Sequence, residues 1–219
     1  MSDENSKEPA ADQVAETAEQ SDAVAEQTSD NGKSAPADRA DAGPFDASEV
    51  NPVQPYIDLG GLKVLPRDGL NLRLEIEEKT KRIVAIGLDY VDSTLQVQPF
   101  AAPRTNGLWN ETREQLREQV RSQGGRVEER EGPLGAELLA EVPTADAEGG
   151  RAMHLARFVG VDGPRWFLRG VIGGKAASDP EAAAQVEDLF RSLVVVRGAS
   201  PMPPRDLIPL KMPASPGAA

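Results

Sequence analysis

The sequence predicts an α+β fold in which a largely antiparallel β-sheet is flanked by two main helices. Runs that alternate apolar and polar residues, the period of a half-buried strand, recur between short segments rich in glycine, proline and aspartate. Two longer segments instead carry their apolar residues at helical spacing. Because short turns join most of the strands, we expect antiparallel pairing, with the helices covering the sheet.

The first fifty residues lack the composition of a folded segment. They contain one aromatic residue, Phe45, and neither leucine nor isoleucine. Three basic and thirteen acidic residues give them a net charge of −10, out of −12 for the whole chain. Such a segment buries too little apolar area to offset the entropy of ordering. We therefore expect a disordered acidic tail at 1–50, a single domain at 51–198, and a proline-rich C-terminal arm at 199–219.

The domain begins with a meander of strands. A Gly-Gly pair separates two apolar runs in 56–64, and the segment NLRLEIEE places Leu72, Leu74 and Ile76 on one face of a strand. The segments 82–90 and 94–102 continue with apolar runs and alternation. We expect these strands to be antiparallel neighbours.

The first helix follows this meander. Trp109, Leu116 and Val120 recur near helical spacing, with Asn106 or Thr105 placed to cap the start and Gly124 the end. Since the apolar stripe is narrow, we expect a surface helix that lies on the sheet.

Four strands come next, as two hairpins. The segment 125–142 predicts two strands joined at Gly132-Pro133, and 143–151 is a polar loop. The segments 152–161 and 165–174 then predict a second hairpin around Asp162, Gly163 and Pro164.

The second helix, SDPEAAAQVEDLFRSL, has clear signals at its start. Ser178 or Asp179 can cap it, and Pro180 fits the first turn. Its apolar face consists of Val186, Leu189, Phe190 and Leu193. A short strand follows, and we expect the arm to lie along the domain from Pro201 to about Leu210, with its end frayed.

Six motifs are the most distinctive text of the chain: GPFDASEV, YIDLGGLKV, LQVQPFAAPRTNGLW, GPLGAELLAEVP, RFVGVDGPRWFLRGVIGGKAASDP and VVVRGASPMPPRDLIPL. They resemble an actinobacterial family, the domain of unknown function 3710, over nearly all of Gly43 to Leu210. The order of elements also resembles the Mog1/PsbP-like α/β/α sandwich. These resemblances imply a cytoplasmic, non-catalytic binding protein, and they bring no catalytic residue or cofactor.

The residue types present exclude several chemistries. The chain has no cysteine, which excludes disulfides, thiolate catalysis and cysteine-ligated zinc. His154 is the only histidine, and we expect it to be a packed or surface residue of a strand. The segment around Gly173-Gly174-Lys175 lacks the spacing of a phosphate loop. We therefore predict no catalytic residue, no metal site and no cofactor, and we do not expect an enzyme.

Basic residues around the second hairpin are the candidate site for an anion or a partner. The candidates are Arg157, Arg165, Arg169, Lys175 and, at the start of the first helix, Trp109. Lys175 precedes a helix whose N-terminal amides attract anions. Burial is the main expectation for Trp109, with partial exposure at the start of the helix as the alternative. Trp166 is expected in the core.

Two of these arginines raise an electrostatic problem. Depending on register, Arg157 and Arg169 are cross-strand neighbours, and like charges side by side are unfavourable unless they are balanced. Glu137, Glu141 or the second helix would balance them internally. The alternatives are an acidic partner peptide, or a nucleotide or nucleic acid.

Three functions follow from these observations. The first is a cytoplasmic, non-catalytic protein-interaction module with a protein partner. The second is a binder of, or an enzyme on, an anionic small molecule such as a nucleotide. Nucleic-acid association is the weakest, because the folded part carries no net positive charge. We find no apolar run of about 20 residues that would span a membrane, and the oligomeric state stays open.

Overall fold

The strands and the two main helices predicted from the sequence are present. The computed structural model describes residues 32–145 and 151–213. In chain order its elements are α1 (Arg39–Ala42), β1 (Phe45–Asp46), β2 (Ile57–Asp58), β3 (Leu62–Val64), β4 (Asn71–Ile76), β5 (Ile83–Tyr90), β6 (Ser93–Ala101), α2 (Trp109–Ser122), β7 (Arg126–Gly132), β8 (Gly135–Ala145), β9 (Arg151–Asp162), β10 (Trp166–Gly174), a 3₁₀ turn (Lys175–Ala177), α3 (Pro180–Arg191) and β11 (Val194–Val195). The α+β class is confirmed.

Seven strands form one antiparallel sheet in the order β4-β5-β6-β10-β9-β8-β7. Gly132 pairs with Gly135 across the predicted turn between β7 and β8. In the predicted turn after Asp162, the Gly163 N–H donates to the Trp166 carbonyl. Strands β8 and β9 extend into the predicted polar loop 143–151, of which residues 146–150 lie outside the described residues.

The two main helices lie on opposite faces of this sheet. Side chains alternate between the faces along each strand. Phe158 and Phe167 point to the face on which α2 buries Trp109 and Leu116, which we call the α2 face. On the other, the α3 face, the sheet packs against the predicted apolar side chains Val186, Leu189, Phe190 and Leu193.

A smaller sheet orders part of the predicted tail. It has the order β1-β11-β3-β2, and Phe45 of β1 pairs in parallel with Val194. The Arg39 guanidinium holds the Glu49 carboxylate at 2.8 and 2.6 Å. Order therefore begins before the predicted boundary at residue 50. Composition missed it because backbone pairing with a distant strand and an ion pair help to hold this segment. Residues 1–31 lie outside the described residues.

Helix α2 is capped by a residue distant in sequence. Asn106 and Thr105 do not cap it; instead the Asp162 carboxylate accepts the backbone N–H groups of Leu108 at 2.8 Å and Trp109 at 3.3 Å. Gly124, with φ of 80°, follows its end as predicted. In α3 the predicted cap is present, since Asp179 accepts from the Ala182 N–H at 2.8 Å.

Strand β4 departs from the predicted alternation at its end. Leu72 and Leu74 pack against the core, but Ile76 is 54% exposed. A register shift between Glu75 and Ile76 turns the Ile76 side chain away from the core.

The C-terminal arm is part of the domain. The Ile208 N–H donates to the Pro99 carbonyl at 2.9 Å, and the Ala101 N–H donates to the Asp206 carbonyl at 2.8 Å. The Ile208 side chain is 2% exposed within the main core. The predicted contact up to about Leu210 is present, whereas residues 214–219, on which the predicted frayed end falls, lie outside the described residues.

Candidate functional site

Part of the α2 face carries no helix among the described residues. Helix α2 packs on β7, β8 and β9, and beyond it the same face of β4, β5, β6 and β10 is polar. We call this surface the open face; its residues are Arg73, Glu75, Gly87, Asp89, Thr94, Gln96, Gln98, Arg169, Val171 and Gly173. A shallow groove of about 250 Å³ runs between Arg73, Gln96 and Gly173.

Three of the four charged side chains of the open face have hydrogen-bond partners on that face. The Arg73 guanidinium binds the Asp89 carboxylate through two hydrogen bonds of 2.6 and 2.8 Å. Gln96 donates to the Glu75 carboxylate. These pairs occupy the part of the face formed by β4, β5 and β6.

Arg169 has no such partner. It lies on β10 between Gly160 of β9 and Gln98 of β6. Its guanidinium is half-buried and makes no hydrogen bond or ion pair in the described part of the chain, and its Nε is fully enclosed without an acceptor. Burial alone lowers the pKa of Arg169.

Two neighbours define the surroundings of Arg169. The Trp109 ring covers Gly160, whose Cβ would lie 2.4 Å from it, so the part of the face that α2 covers ends beside Arg169. On the other side, the Gln98 amide nitrogen donates to the Val84 carbonyl at 2.9 Å, which leaves the Gln98 Oε1 buried without a donor. An unmatched cation and an unmatched acceptor thus occupy neighbouring strands.

Arg157 is paired internally. It is 3% exposed, and its Nη2 binds Glu137 at 2.7 Å and Glu187 of α3, while its Nη1 donates to the Ala176 carbonyl at 3.3 Å. Burial lowers the pKa of Arg157, but the hydrogen bonds from the two carboxylates outweigh it and raise the pKa overall. Internal balance, one of the predicted alternatives, is present for this arginine.

Arg157 and Arg169 are not cross-strand neighbours, an arrangement that the sequence left dependent on the register. Arg157 is paired in register with Ile172, and Arg169 with Gly160. The side chains therefore point to opposite faces of the sheet, because their positions on β9 and β10 differ by an odd number of rows.

The other candidates lie away from the open face or are enclosed. Arg165, which is half-buried, donates to the Gly198 carbonyl at 3.0 Å. Lys175 is exposed after the end of β10, where its backbone N–H donates to the Asp92 carbonyl. Trp109 is fully buried, donates its Nε1–H to the Ala136 carbonyl at 2.6 Å and stacks on Phe167. Only Arg169 combines access to the open face with an unmatched charge.

Sequence reasoning missed the residues that surround Arg169. Arg73, Glu75, Gln96 and Gln98 are the polar members of alternating strands, and a polar face normally indicates solvent. These residues meet Arg169 because β6 pairs with β10. One helix and three strands lie between β6 and β10 in the chain, and local sequence patterns do not indicate such a distant pairing. His154 is exposed on β9. A surface position on a strand was one of the two placements expected for it, the other being a packed one.

Within residues 32–145 and 151–213, no group of three or more histidine, aspartate or glutamate side chains is placed to hold a metal ion. None of the described helices has the length and apolar character needed to cross a membrane.

Comparisons with known proteins identify a family. None of the curated proteins and none of the solved structures matches the chain. The model of a family described as "Protein of unknown function (DUF3710)" matches residues 43–219, which is most of the chain. The chain therefore belongs to this family.

Proposed function

We propose that the protein is a non-catalytic interaction module that holds an acidic group of a protein partner on the open face. Arg169 is the residue that pairs with the partner's carboxylate. The observation that carries this proposal is the half-buried guanidinium of Arg169 without an acceptor. A buried charge without a counter-charge costs free energy, and a bound carboxylate removes that cost.

The shape of the open face favours a protein partner. Small-molecule sites are usually concave, at roughly 300–1,000 Å³, whereas the groove on the open face has about 250 Å³ and is lined by Arg73, Gln96 and Gly173 rather than by Arg169. Arg73 is paired with Asp89, and Glu75 accepts a hydrogen bond from the Gln96 amide, so the surface beside Arg169 is polar. A partner side chain can reach Arg169 across such a surface without being enclosed.

An anionic small molecule is the second candidate, and the Gln98 Oε1 favours it. A compact ligand with a carboxylate and an adjacent N–H or O–H would match Arg169 and the Gln98 acceptor together. Free amino acids and hydroxy acids have this chemistry.

Titration followed by NMR tests both candidates. Hexaglutamate stands for an acidic peptide, and free glutamate and inorganic phosphate stand for small anions. We expect hexaglutamate to shift the Arg169 Nε–H and Gln98 side-chain signals, and Arg169→Gln to weaken its binding at least about tenfold, the loss of one charge-assisted hydrogen bond. Arg121→Gln removes an exposed arginine of α2 and should change affinity less than twofold. Equal affinity for Arg169→Gln and the wild type would reject the site, and tighter binding of free glutamate than of hexaglutamate would favour the second candidate.

A further inference from the structure

The N-terminal segment enters the described structure beside the open face. The Ser34 N–H donates to the Asp162 carboxylate at 3.0 Å, and the Asp162 N–H donates to the Ser34 carbonyl at 2.9 Å. Lys33 Nζ donates to the Gly163 carbonyl at 2.5 Å. The Gly32 carbonyl lies 2.6 Å from where a Cβ on Gly107 would be. Residues 32–34 are therefore fixed at the end of β9, next to the start of α2.

Arg169 is close to this point and on the same face. Asp162 pairs with Phe167, and the next position of β10 on the α2 face is Arg169. Two residues of a strand span about 7 Å. The segment is thus attached beside Asp162, two rows of the sheet from Arg169, and its nearest acidic residue, Asp30, precedes Gly32 by two residues.

The charge of residues 1–31 complements Arg169. This segment has nine acidic residues and one basic residue, Lys7. Eight of the acidic residues follow one another at intervals of three or four: Glu4, Glu8, Asp12, Glu16, Glu19, Asp22, Glu26 and Asp30. That interval aligns side chains along one side of a helix. A segment of this composition that is attached at Gly32 has many carboxylates to offer an unmatched cation, whatever its conformation.

We infer that the acidic N-terminal segment, residues 1–31, is an intramolecular occupant of the open face and competes there with the partner. This inference rests on the proposed function, since the same Arg169 serves both. A tethered segment has an effective concentration in the millimolar range. It therefore displaces weak acidic ligands and admits those that bind more tightly than the segment does.

Neutralising the tail tests the competition in the full-length chain. The tail variant carries Asp22→Asn, Glu26→Gln and Asp30→Asn. The control variant has the same net charge and carries Asp68→Asn, Glu78→Gln and Glu118→Gln, which are exposed positions of the domain. We expect the tail variant to bind hexaglutamate about threefold to tenfold more tightly than the wild type, and the control to change less than twofold.

The outcomes separate this inference from the proposed function. Equal affinities of the tail and control variants would overturn the intramolecular occupancy and leave the Arg169 site intact. Absence of hexaglutamate binding in every form would overturn both.

A spin label provides a second, direct readout. Because the chain has no cysteine, Ser21→Cys gives a single site for a nitroxide. We expect it to broaden the amide signals of Gly87, Gln96 and Gly173 on the open face, and to broaden them less when Arg169→Gln is added. Signals of α3 on the opposite face serve as the internal reference. The same broadening with and without Arg169 would show that the segment does not bind there.

Discussion

Replacing Arg157 with methionine removes the cation that lies between two buried carboxylates. Glu137 keeps a second partner, since Arg130 Nε lies 2.6 Å from its Oε1. Glu187, which is 7% exposed, loses its only cation among the described residues. Breaking a buried ion pair by removing one partner typically costs about 3–5 kcal/mol. We expect Arg157→Met to lower the free energy of unfolding by about that amount.

Urea unfolding followed by tryptophan fluorescence measures this change. Trp109 and Trp166 are both fully buried, so unfolding exposes both reporters. Adding Glu187→Gln to Arg157→Met should recover a large part of the loss, because the unpaired buried charge is then removed. Arg130→Met, at a side chain that is 38% exposed, should cost less than about 1 kcal/mol. A loss below about 1 kcal/mol for Arg157→Met, or no recovery in the double variant, would refute the structural role of Arg157.

The remaining predictions concern the elements that hold the domain together. Asp162→Ala leaves three backbone N–H donors without their acceptor. It should lower the free energy of unfolding by about 3 kcal/mol and speed hydrogen exchange at the Leu108 amide. Unchanged exchange at Leu108 would argue against the cap. Ile208→Ala should cost about 2–4 kcal/mol in urea unfolding, and a neutral result would mean that the arm is dispensable. The hydrogen bond from Arg39 holds the pKa of Glu49 below its ordinary value. The stabilisation by Glu49 is therefore present above its unfolded-state pKa and is lost as the pH falls through its folded-state pKa. The free energies of unfolding of the wild type and of Glu49→Gln should therefore converge as the pH is lowered, and curves that stay parallel would contradict this.

The local features of the fold were predictable from the sequence because local interactions determine them. Asp179 and Pro180 mark the start of α3, and the glycine and proline residues mark both hairpin turns. The cap of α2 was not predictable, since Asp162 lies more than fifty residues away in the chain. Phe45 was assigned to the tail because its pairing partner, Val194, is far more distant still in the chain. The likeness to the Mog1/PsbP-like sandwich stays a prediction.

The candidate site, too, was predictable from the sequence only in part. The arginines of β9 and β10 and their need for compensation were evident from the sequence. Which of them finds a carboxylate depends on the register and on which helix covers which face. Arg157 points to α3 and Glu187, whereas Arg169 points to the face that α2 covers only as far as Gly160.

The free energy of unfolding of Arg169→Met, compared in urea without added ligand with the chain that keeps Arg169, both carrying the neutralised tail (Asp22→Asn, Glu26→Gln and Asp30→Asn), tests the central claim most directly. If Arg169 is a buried cation kept for a partner, methionine removes an uncompensated charge while filling similar space, and stability stays equal or rises. A decrease of about 1 kcal/mol or more would show that the guanidinium has a structural partner, such as the Gln98 Oε1, and would contradict the account.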